Sequence, residues 1–156
     1  MDLLVNLYSP EFIEALAMLD ESNNVKIVRM LSCRKQQLLD YICEHFSQNW
    51  ASEVESGFGM PNPTVFVAIQ AGEIVGFVAY NVTAHGFFGP LGVSKSARGQ
   101  GIGQALTVRA LQALKQDGYP YGIIGGAEEA AEFYHQFLPI EPIVSSHEHS
   151  IYDRQI

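Results

Sequence analysis

The sequence has few basic residues and no long hydrophobic run. Nine Lys and Arg stand against seventeen Asp and Glu, which gives a net charge of −8 at pH 7. Binding to a nucleic-acid backbone depends on clustered Lys and Arg, so nucleic acid is not an expected partner. Acidic residues interrupt the apolar residues of the first 22 positions, which is not typical of a leader or a membrane span. We therefore predict a cytoplasmic protein without membrane contact.

Cysteines and metal-ligand patterns are also scarce. Cys33 and Cys43 are the two cysteines, and their spacing fits no metal or redox motif. We expect them to be buried or half-buried free thiols. His147 and His149 alternate along a predicted β stretch and would share one face. Two histidines do not complete a zinc shell, so no metal site is predicted.

What is present indicates one folded domain over residues 1–156. The composition is ordinary for a globular protein, with 47% apolar and 17% charged residues. Runs rich in β-branched and aromatic residues predict strands at 25–31, 64–70, 73–83, 86–93, 119–126 and 142–154. Helical spacing of apolar residues predicts helices over most of 1–24, over 32–50, just after 50, and over 104–118 and 127–137.

Several residues predict how these elements begin, turn and end. Ser32 is a candidate helix N-cap, and the polar residues 20–24 predict a turn. Ala71-Gly72 predicts a hairpin turn. Gly89 and Pro90 predict a bulge or a splayed edge in the strand at 86–93, because proline cannot donate to a strand ladder.

The stretch "SKSARGQGIGQAL" places Gly99, Gly101 and Gly103 between a strand and a helix. Main-chain N–H groups and the positive end of the helix dipole meet there, which favours a phosphate or pyrophosphate. A P-loop requires Lys and Ser or Thr after its last glycine, whereas Gln104 and Ala105 follow Gly103. The Gly-x-Gly-x-x-Gly spacing of dinucleotide-binding loops is also absent.

The pattern Arg98-x-x-Gly101-x-Gly103 after "LGV" resembles the acyl-CoA loop of the GCN5-related N-acetyltransferases (GNAT). The predicted elements between about Val25 and Phe137 also follow the order of that family. The resemblance implies an α/β (α+β) fold, with a mixed central sheet whose central strands splay apart and are flanked by helices. It implies an N-acetyltransferase that moves an acetyl group from acetyl-CoA to a primary amine of a small molecule, by direct attack in a ternary complex.

The resemblance also implies roles for individual residues. The strand segment Leu91, Gly92 and Val93 would offer main-chain groups to the pantetheine arm, and an amide near Val93 would stabilise the oxyanion. Tyr134, in "EFYHQF", matches the tyrosine that often protonates the leaving thiolate. The CoA pyrophosphate would be held by the loop residues Arg98, Gly99, Gln100, Gly101, Ile102, Gly103 and Gln104.

The sequence departs from the family at one position and leaves three questions open. Many relatives have a cofactor-binding asparagine near the start of the helix that carries Tyr134, where this chain has "GGAEEAA"; Gly125 and Gly126 could let the backbone approach the pantetheine instead. The general base is unassigned among Glu53, Glu55, His85 and Glu128. The alternatives to a small-molecule enzyme are a non-catalytic acyl-CoA-binding module and a peptide or protein N-acetyltransferase. A homodimer joined along the edge of the stretch 142–154 is a further possibility.

Overall fold

A computed structural model describes residues 1–18 and 25–154, which form a seven-stranded sheet between two layers of helices. The strands are β1 (Asp2–Asn6), β2 (Lys26–Arg29), β3 (Val65–Gln70), β4 (Glu73–Tyr80), β5 (Phe87–Val93), β6 (Tyr121–Ile124) and β7 (Ile140–Ile143). They lie in the order β2-β3-β4-β5-β6-β1-β7. All neighbours are antiparallel except β5 and β6, which are parallel. The predicted mixed α/β fold is confirmed.

The helices cover both faces of the sheet because the strand residues alternate between two hydrophobic clusters. The helices are α1 (Pro10–Ala17), α2 (Lys35–His45), α3 (Gln48–Glu55), α4 (Ile102–Gln116) and α5 (Ala131–His135). On β3, Phe66 and Ala68 face the cluster of α1, α4 and α5, whereas Val65 and Val67 face the cluster of α2 and α3. Every helix that the structure describes is too short or too polar to span a lipid bilayer.

The N-terminal segment differs from its prediction as a helix. Residues 2–6 form β1, which pairs with β6 on one side and β7 on the other. Leu3 and Val5 are both buried, and burial of every second residue is typical of a strand. This alternation outweighs the helical spacing of apolar residues on which the prediction of a helix depended. The helix α1 follows, with Pro10 at its start and the Ser9 hydroxyl accepting from the Phe12 amide at 3.2 Å. The predicted turn at 20–24 lies outside the described residues.

The C-terminal stretch and three smaller predictions are also corrected. The strand β7 ends at Ile143, and short 3₁₀ helices follow at Val144–His147 and Ile151–Arg154. Ser146 fixes this turn by donating to the Ile143 carbonyl at 2.5 Å and accepting from the Asp2 amide at 2.7 Å. His147 and His149 therefore do not share a strand face. Ser32 begins a 3₁₀ turn and does not cap α2. Cys33 in that turn and Cys43 on α2 are both exposed, and not buried or half-buried as predicted.

The hairpin turn and the irregular strand follow their predictions. Ala71 and Gly72 have φ of 51° and 77° between β3 and β4, as a two-residue hairpin turn requires. The register of β4 against β5 shifts between the pairs Val78–Leu91 and Tyr80–Phe88, which leaves one extra residue on β5. That bulge contains Gly89 and Pro90.

The parallel pair β5–β6 separates after two register pairs. Phe87 and Phe88 pair with Ile123 and Ile124, but residues 89–93 have no partner on β6. The two strands therefore open into a cleft toward their C-terminal ends. The glycine loop and α4 follow β5 directly, so they lie at the same end of the sheet.

Gly92 is fixed by packing inside this sheet. A Cβ at Gly92 would lie 2.6 Å from Phe46 and 2.7 Å from Phe77. The two rings pack edge to face with centroids 5.5 Å apart, and they use the space that a side chain would need. The absence of a side chain at position 92 thus serves the core beneath β5, in addition to any role in the cleft.

We expect Gly92→Ala to lower the free energy of unfolding by about 1–3 kcal/mol, the usual cost of overpacking a core. Urea unfolding followed by circular dichroism measures this change. Gly59→Ala is the matched control, because Gly59 has φ of −73° and its Cβ would meet nothing closer than 3.7 Å. Equal stability of the two variants would show that the aromatic rings move aside without cost.

Candidate active site

A cavity of about 400 Å³ lies in the cleft between β5 and β6. Its walls come from α3, the β4–β5 loop, β5, the segment after β6, α5 and the last 3₁₀ turn. The cavity is lined by Trp50, Glu53, Thr83, Phe88, Gly89, Pro90, Leu91, Ile124, Gly125, Gly126, Ala127, Ala130, Tyr134 and Tyr152. These segments are far apart in sequence, so the cavity exists only in the folded chain.

The glycine loop presents unpaired main-chain donors next to the cleft. The first main-chain bond of α4 runs from the Ala105 amide to the Gly101 carbonyl, at 3.1 Å. Within the described chain, the N–H groups of residues 99–104 donate to no protein acceptor, and no side chain caps α4. Free donors at a helix N-terminus favour an anion.

The three glycines of the loop have two different physical reasons. Gly99 and Gly101 have φ of 80° and 78°, a left-handed conformation that residues with a Cβ rarely adopt. Gly103 is helical, and its Cβ would lie 3.2 Å from the Phe133 ring of α5. Two glycines therefore shape the loop, and the third lets α5 pack closely against α4.

The remaining predicted cofactor residues lie beside this loop. Leu91 lines the cavity, and Val93 ends β5 where the strand leaves the cleft. The Arg98 Nε donates to the Val93 carbonyl at 3.2 Å, so the exposed guanidinium is tied to the end of β5. The exposed Gln100 accepts a hydrogen bond from Gln70 at 2.9 Å. Leu91 thus belongs to the cavity, and the Arg98 contact connects the loop to the end of β5.

Tyr134 lies at the wall of the cavity on α5. Its ring is 6% exposed and packs edge to face with Phe88, with centroids 5.8 Å apart. The phenol makes no hydrogen bond to other described residues. Burial raises the pKa of the Tyr134 phenol, so the group is protonated at neutral pH.

The four candidate bases have different surroundings, and Glu53 is the one that lines the cavity. Glu55, one half-turn further along α3, is exposed and lies 3.4 Å from the Lys35 ammonium. His85 is exposed and lies 3.2 Å from the Tyr119 hydroxyl. Glu128 is exposed and contacts the amino group of Met1. Geometry therefore separates Glu53 from the other three.

Sequence reasoning gave no role in the site to Trp50, Thr83 or Tyr152, which all line the cavity. Thr83 donates a hydrogen bond to the Glu53 carboxylate, and Tyr152 reaches the cavity from the last 3₁₀ turn. None belongs to a recognisable motif. The single sequence signal was for Trp50, because an isolated tryptophan one turn before a glutamate on a helix places both side chains on one face.

Gly125 and Gly126 lie in the segment where many relatives have a cofactor-binding asparagine, and both have structural roles here. A Cβ at Gly125 would lie 2.7 Å from the Tyr152 hydroxyl and 3.1 Å from the Phe87 ring. Gly126 has φ of 59°, and its amide donates to the Asp2 carboxylate at 3.0 Å. Gly125 therefore makes room for Tyr152, and Gly126 allows the turn after β6.

Comparison with known proteins finds a family model that matches part of the chain. Residues 61–137 match the family model of an acetyltransferase (GNAT) domain. No curated protein matches the sequence.

Three solved structures illustrate the shared fold at low sequence identity. A GCN5-related glucosamine N-acetyltransferase region of a fungal multi-domain GH3 beta-N-acetylglucosaminidase has a TM-score of 0.64 and 18% identity, covering 90% of this chain and 19% of that one. A GNAT family acetyltransferase from Brucella melitensis in complex with acetyl-CoA has a TM-score of 0.55 and 18% identity, covering 72% and 80%. An aminoglycoside acetyltransferase from an uncultured soil metagenomic sample, in complex with sisomicin, has a TM-score of 0.55 and 17% identity, covering 78% and 90%.

This chain spans about a fifth of the length of the fungal protein. The matched residues 61–137 contain β3 to β6, α4 and α5, which build the cleft, the glycine loop and the helix of Tyr134. Residues 61–137 therefore belong to the acetyltransferase (GNAT) domain family, and the resemblance to the GCN5-related N-acetyltransferases is confirmed.

Proposed function

We propose that this protein is an N-acetyltransferase that moves an acetyl group from acetyl-CoA to the primary amine of a small molecule. The observation that carries the proposal is that β5 leads from the cavity to the glycine loop. Residues 88–91 of β5 line the cavity together with Tyr134 and Glu53, and beyond Val93 the chain continues to the unpaired amides of residues 99–104. A long, anionic thioester would fit this arrangement with its phosphates at the loop and its acetyl group in the cavity.

The geometry of the loop at residues 99–104 suits a pyrophosphate. A Cβ at Gly99 or Gly101 would meet nothing within 4 Å, so the space around these amides is open to a ligand. Arg98 adds a positive charge, and the pantetheine arm would follow Leu91, Gly92 and Val93 toward the cavity. Acetyl-CoA, when bound, supplies the activated acetyl carbonyl and a thiolate leaving group.

The proposed reaction releases two protons from the ammonium form of the acceptor. The first leaves before attack, with Glu53 as the acceptor that the cavity offers. The neutral nitrogen then bonds to the thioester carbonyl carbon, the carbon–sulfur bond breaks, and Tyr134 gives its proton to the departing sulfur. The phenolate of Tyr134 regains a proton from the new amide nitrogen. The products are the N-acetyl amine, CoA as its thiol, and one proton released to solvent.

A small acceptor is favoured over a peptide because the cavity is compact, at about 400 Å³. The structural relatives that act on glucosamine and bind sisomicin also take small amines. A non-catalytic acyl-CoA-binding module is the second candidate, and it is favoured by the missing asparagine. The cytoplasmic location, the single domain over 1–156 and the homodimer stay predictions.

Two measurements on the purified chain test the proposal. Isothermal titration with acetyl-CoA is expected to give saturable binding, and release of free CoA thiol is expected to depend on an added amine. Absence of acetyl-CoA binding contradicts both candidates. Binding without amine-dependent thiol release over a broad panel of amines and peptides identifies the non-catalytic module.

A further inference from the structure

The polar end of the cavity is formed by Glu53 and Thr83. Both side chains are half-buried, and the Thr83 hydroxyl donates to the Oε1 oxygen of Glu53. Among the described residues no donor meets the other carboxylate oxygen, Oε2. Partial burial of a carboxylate oxygen that has no hydrogen-bond partner costs free energy, and a donor on a bound ligand would offset this cost. Glu53 is therefore held in place on one side and available to a cationic donor on the other.

Two aromatic side chains belong to the same cavity as this carboxylate. Trp50 and Tyr152 both line the cavity with Glu53. The Tyr152 hydroxyl occupies the space of a Cβ at Gly125, so the tyrosine can lie against the wall only because residue 125 is glycine. The pKa of Tyr152 is raised first by burial and then by the charge of Glu53, which agrees with a phenol close to the carboxylate. Indole and phenol faces attract an ammonium group.

The described cavity lining contains one acidic side chain, Glu53. Nearby acids are engaged elsewhere: Asp2 accepts from the Gly126 amide, Glu55 pairs with Lys35, and Glu128 contacts the Met1 amino group. Most of the remaining wall is apolar, formed by Phe88, Pro90, Leu91, Ile124, Ala127 and Ala130. A ligand with several ammonium groups would leave most of them without a counter-charge, which is costly in a partly dehydrated site.

We infer that the acceptor is a compact primary amine with a single ammonium group and an apolar body, bound with its ammonium at Glu53 and its body against Trp50 and Tyr152. The inference that this amine is an acceptor rests on the proposed acetyl transfer, but binding of the amine can be tested separately. The volume sets the size of the acceptor, because the thioester end of acetyl-CoA must share the same 400 Å³. Polycationic amines of the aminoglycoside type fit this lining poorly.

Trp50 provides a direct readout of binding, because it is the only tryptophan of the chain. Titration of the purified protein with 2-phenylethylamine is expected to give a saturable change in tryptophan fluorescence, with and without CoA present. Glu53→Gln is expected to weaken this binding at least tenfold, since glutamine keeps the shape and the Thr83 contact but removes the charge. Glu55→Gln is the matched control on the same helix, with an expected change of less than twofold.

The chemistry of the ligand is tested with two further probes. 2-Phenylethanol has a similar shape without the ammonium and is expected to bind at least tenfold more weakly than the amine to the wild-type protein. Sisomicin, with several ammonium groups, is also expected to bind at least tenfold more weakly. Circular dichroism verifies that each variant is folded.

The outcomes separate this inference from the proposed function. Equal binding of the amine by the wild-type and Glu53→Gln proteins, or tighter binding of sisomicin than of 2-phenylethylamine, overturns the inference even if acetyl transfer occurs. Failure to bind acetyl-CoA overturns the proposed function, whereas the fluorescence titration still reports on the amine site. Preferential acetylation of a polyamine or a basic peptide also overturns the inference and leaves acetyl transfer intact.

Discussion

Replacing Tyr134 by phenylalanine is expected to lower kcat for acetyl transfer about 100-fold, in the usual range for loss of a general acid, and to change the Kd for acetyl-CoA less than twofold. The hydroxyl is the only group removed. The Tyr134 ring packs against Phe88 and Phe133, with centroids 5.8 Å and 5.0 Å away, and phenylalanine preserves this packing. Single-turnover release of CoA thiol measures the chemical step, and isothermal titration measures the affinity.

Tyr121→Phe is the control for this experiment, because Tyr121 is 50% exposed and does not line the cavity. It is expected to have wild-type kcat and Kd. A Tyr134→Phe protein with unchanged kcat would exclude the phenol as the proton donor and leave water as the source of the proton. A parallel loss of acetyl-CoA affinity would instead assign Tyr134 to cofactor binding.

Gly101→Asp is expected to weaken acetyl-CoA binding at least 100-fold. Gly101 has φ of 78° and nothing within 4 Å of its Cβ position, and aspartate tolerates the left-handed conformation better than most residues. The fold should therefore accept the side chain. A carboxylate about 5 Å from a phosphate charge costs on the order of 3 kcal/mol at an effective dielectric constant near 20, which corresponds to about a hundredfold loss.

Gly101→Asn separates charge from shape, because asparagine has nearly the same size and the same tolerance for this backbone conformation. We expect it to weaken acetyl-CoA binding less than tenfold. The effect of aspartate should also shrink as the salt concentration rises, since exposed charges are screened. Equal and small effects of both substitutions would place the pyrophosphate away from residues 99–104.

Sequence reasoning succeeded where the signal is local. The glycine loop, the hairpin turn at Ala71-Gly72 and the bulge at Gly89-Pro90 depend on residues with restricted or unusual backbone conformations, and each lies where it was predicted. The prediction failed for residues 2–6 and for residues 144–154. The strand β1 forms because β6 and β7 accept it between them, and partners so distant in sequence leave little trace in a short local window.

The candidate site shows the same division. The acyl-CoA loop and Tyr134 could be proposed from motifs, and Glu53 could only be placed among four candidate bases. The position of Glu53 in the cavity depends on α3 packing across the sheet. Thr83, which donates to its carboxylate, comes from the β4–β5 loop, and Tyr152 comes from the 3₁₀ turn at Ile151–Arg154. No spacing rule joins residues 53, 83 and 152.

The sequence by itself determined the glycine loop, because left-handed backbone positions favour glycine locally, and its resemblance to the GCN5-related N-acetyltransferases implied the class of fold and an acyl-CoA pyrophosphate at this loop. Only the tertiary structure decided which side chains line the cavity. Long-range packing brings Trp50, Glu53, Thr83 and Tyr152 into one cavity, and it takes Glu55, His85 and Glu128 to other surroundings. The proposed acceptor site depends on that convergence, since Glu53, Trp50 and Tyr152 line one cavity only in the folded chain.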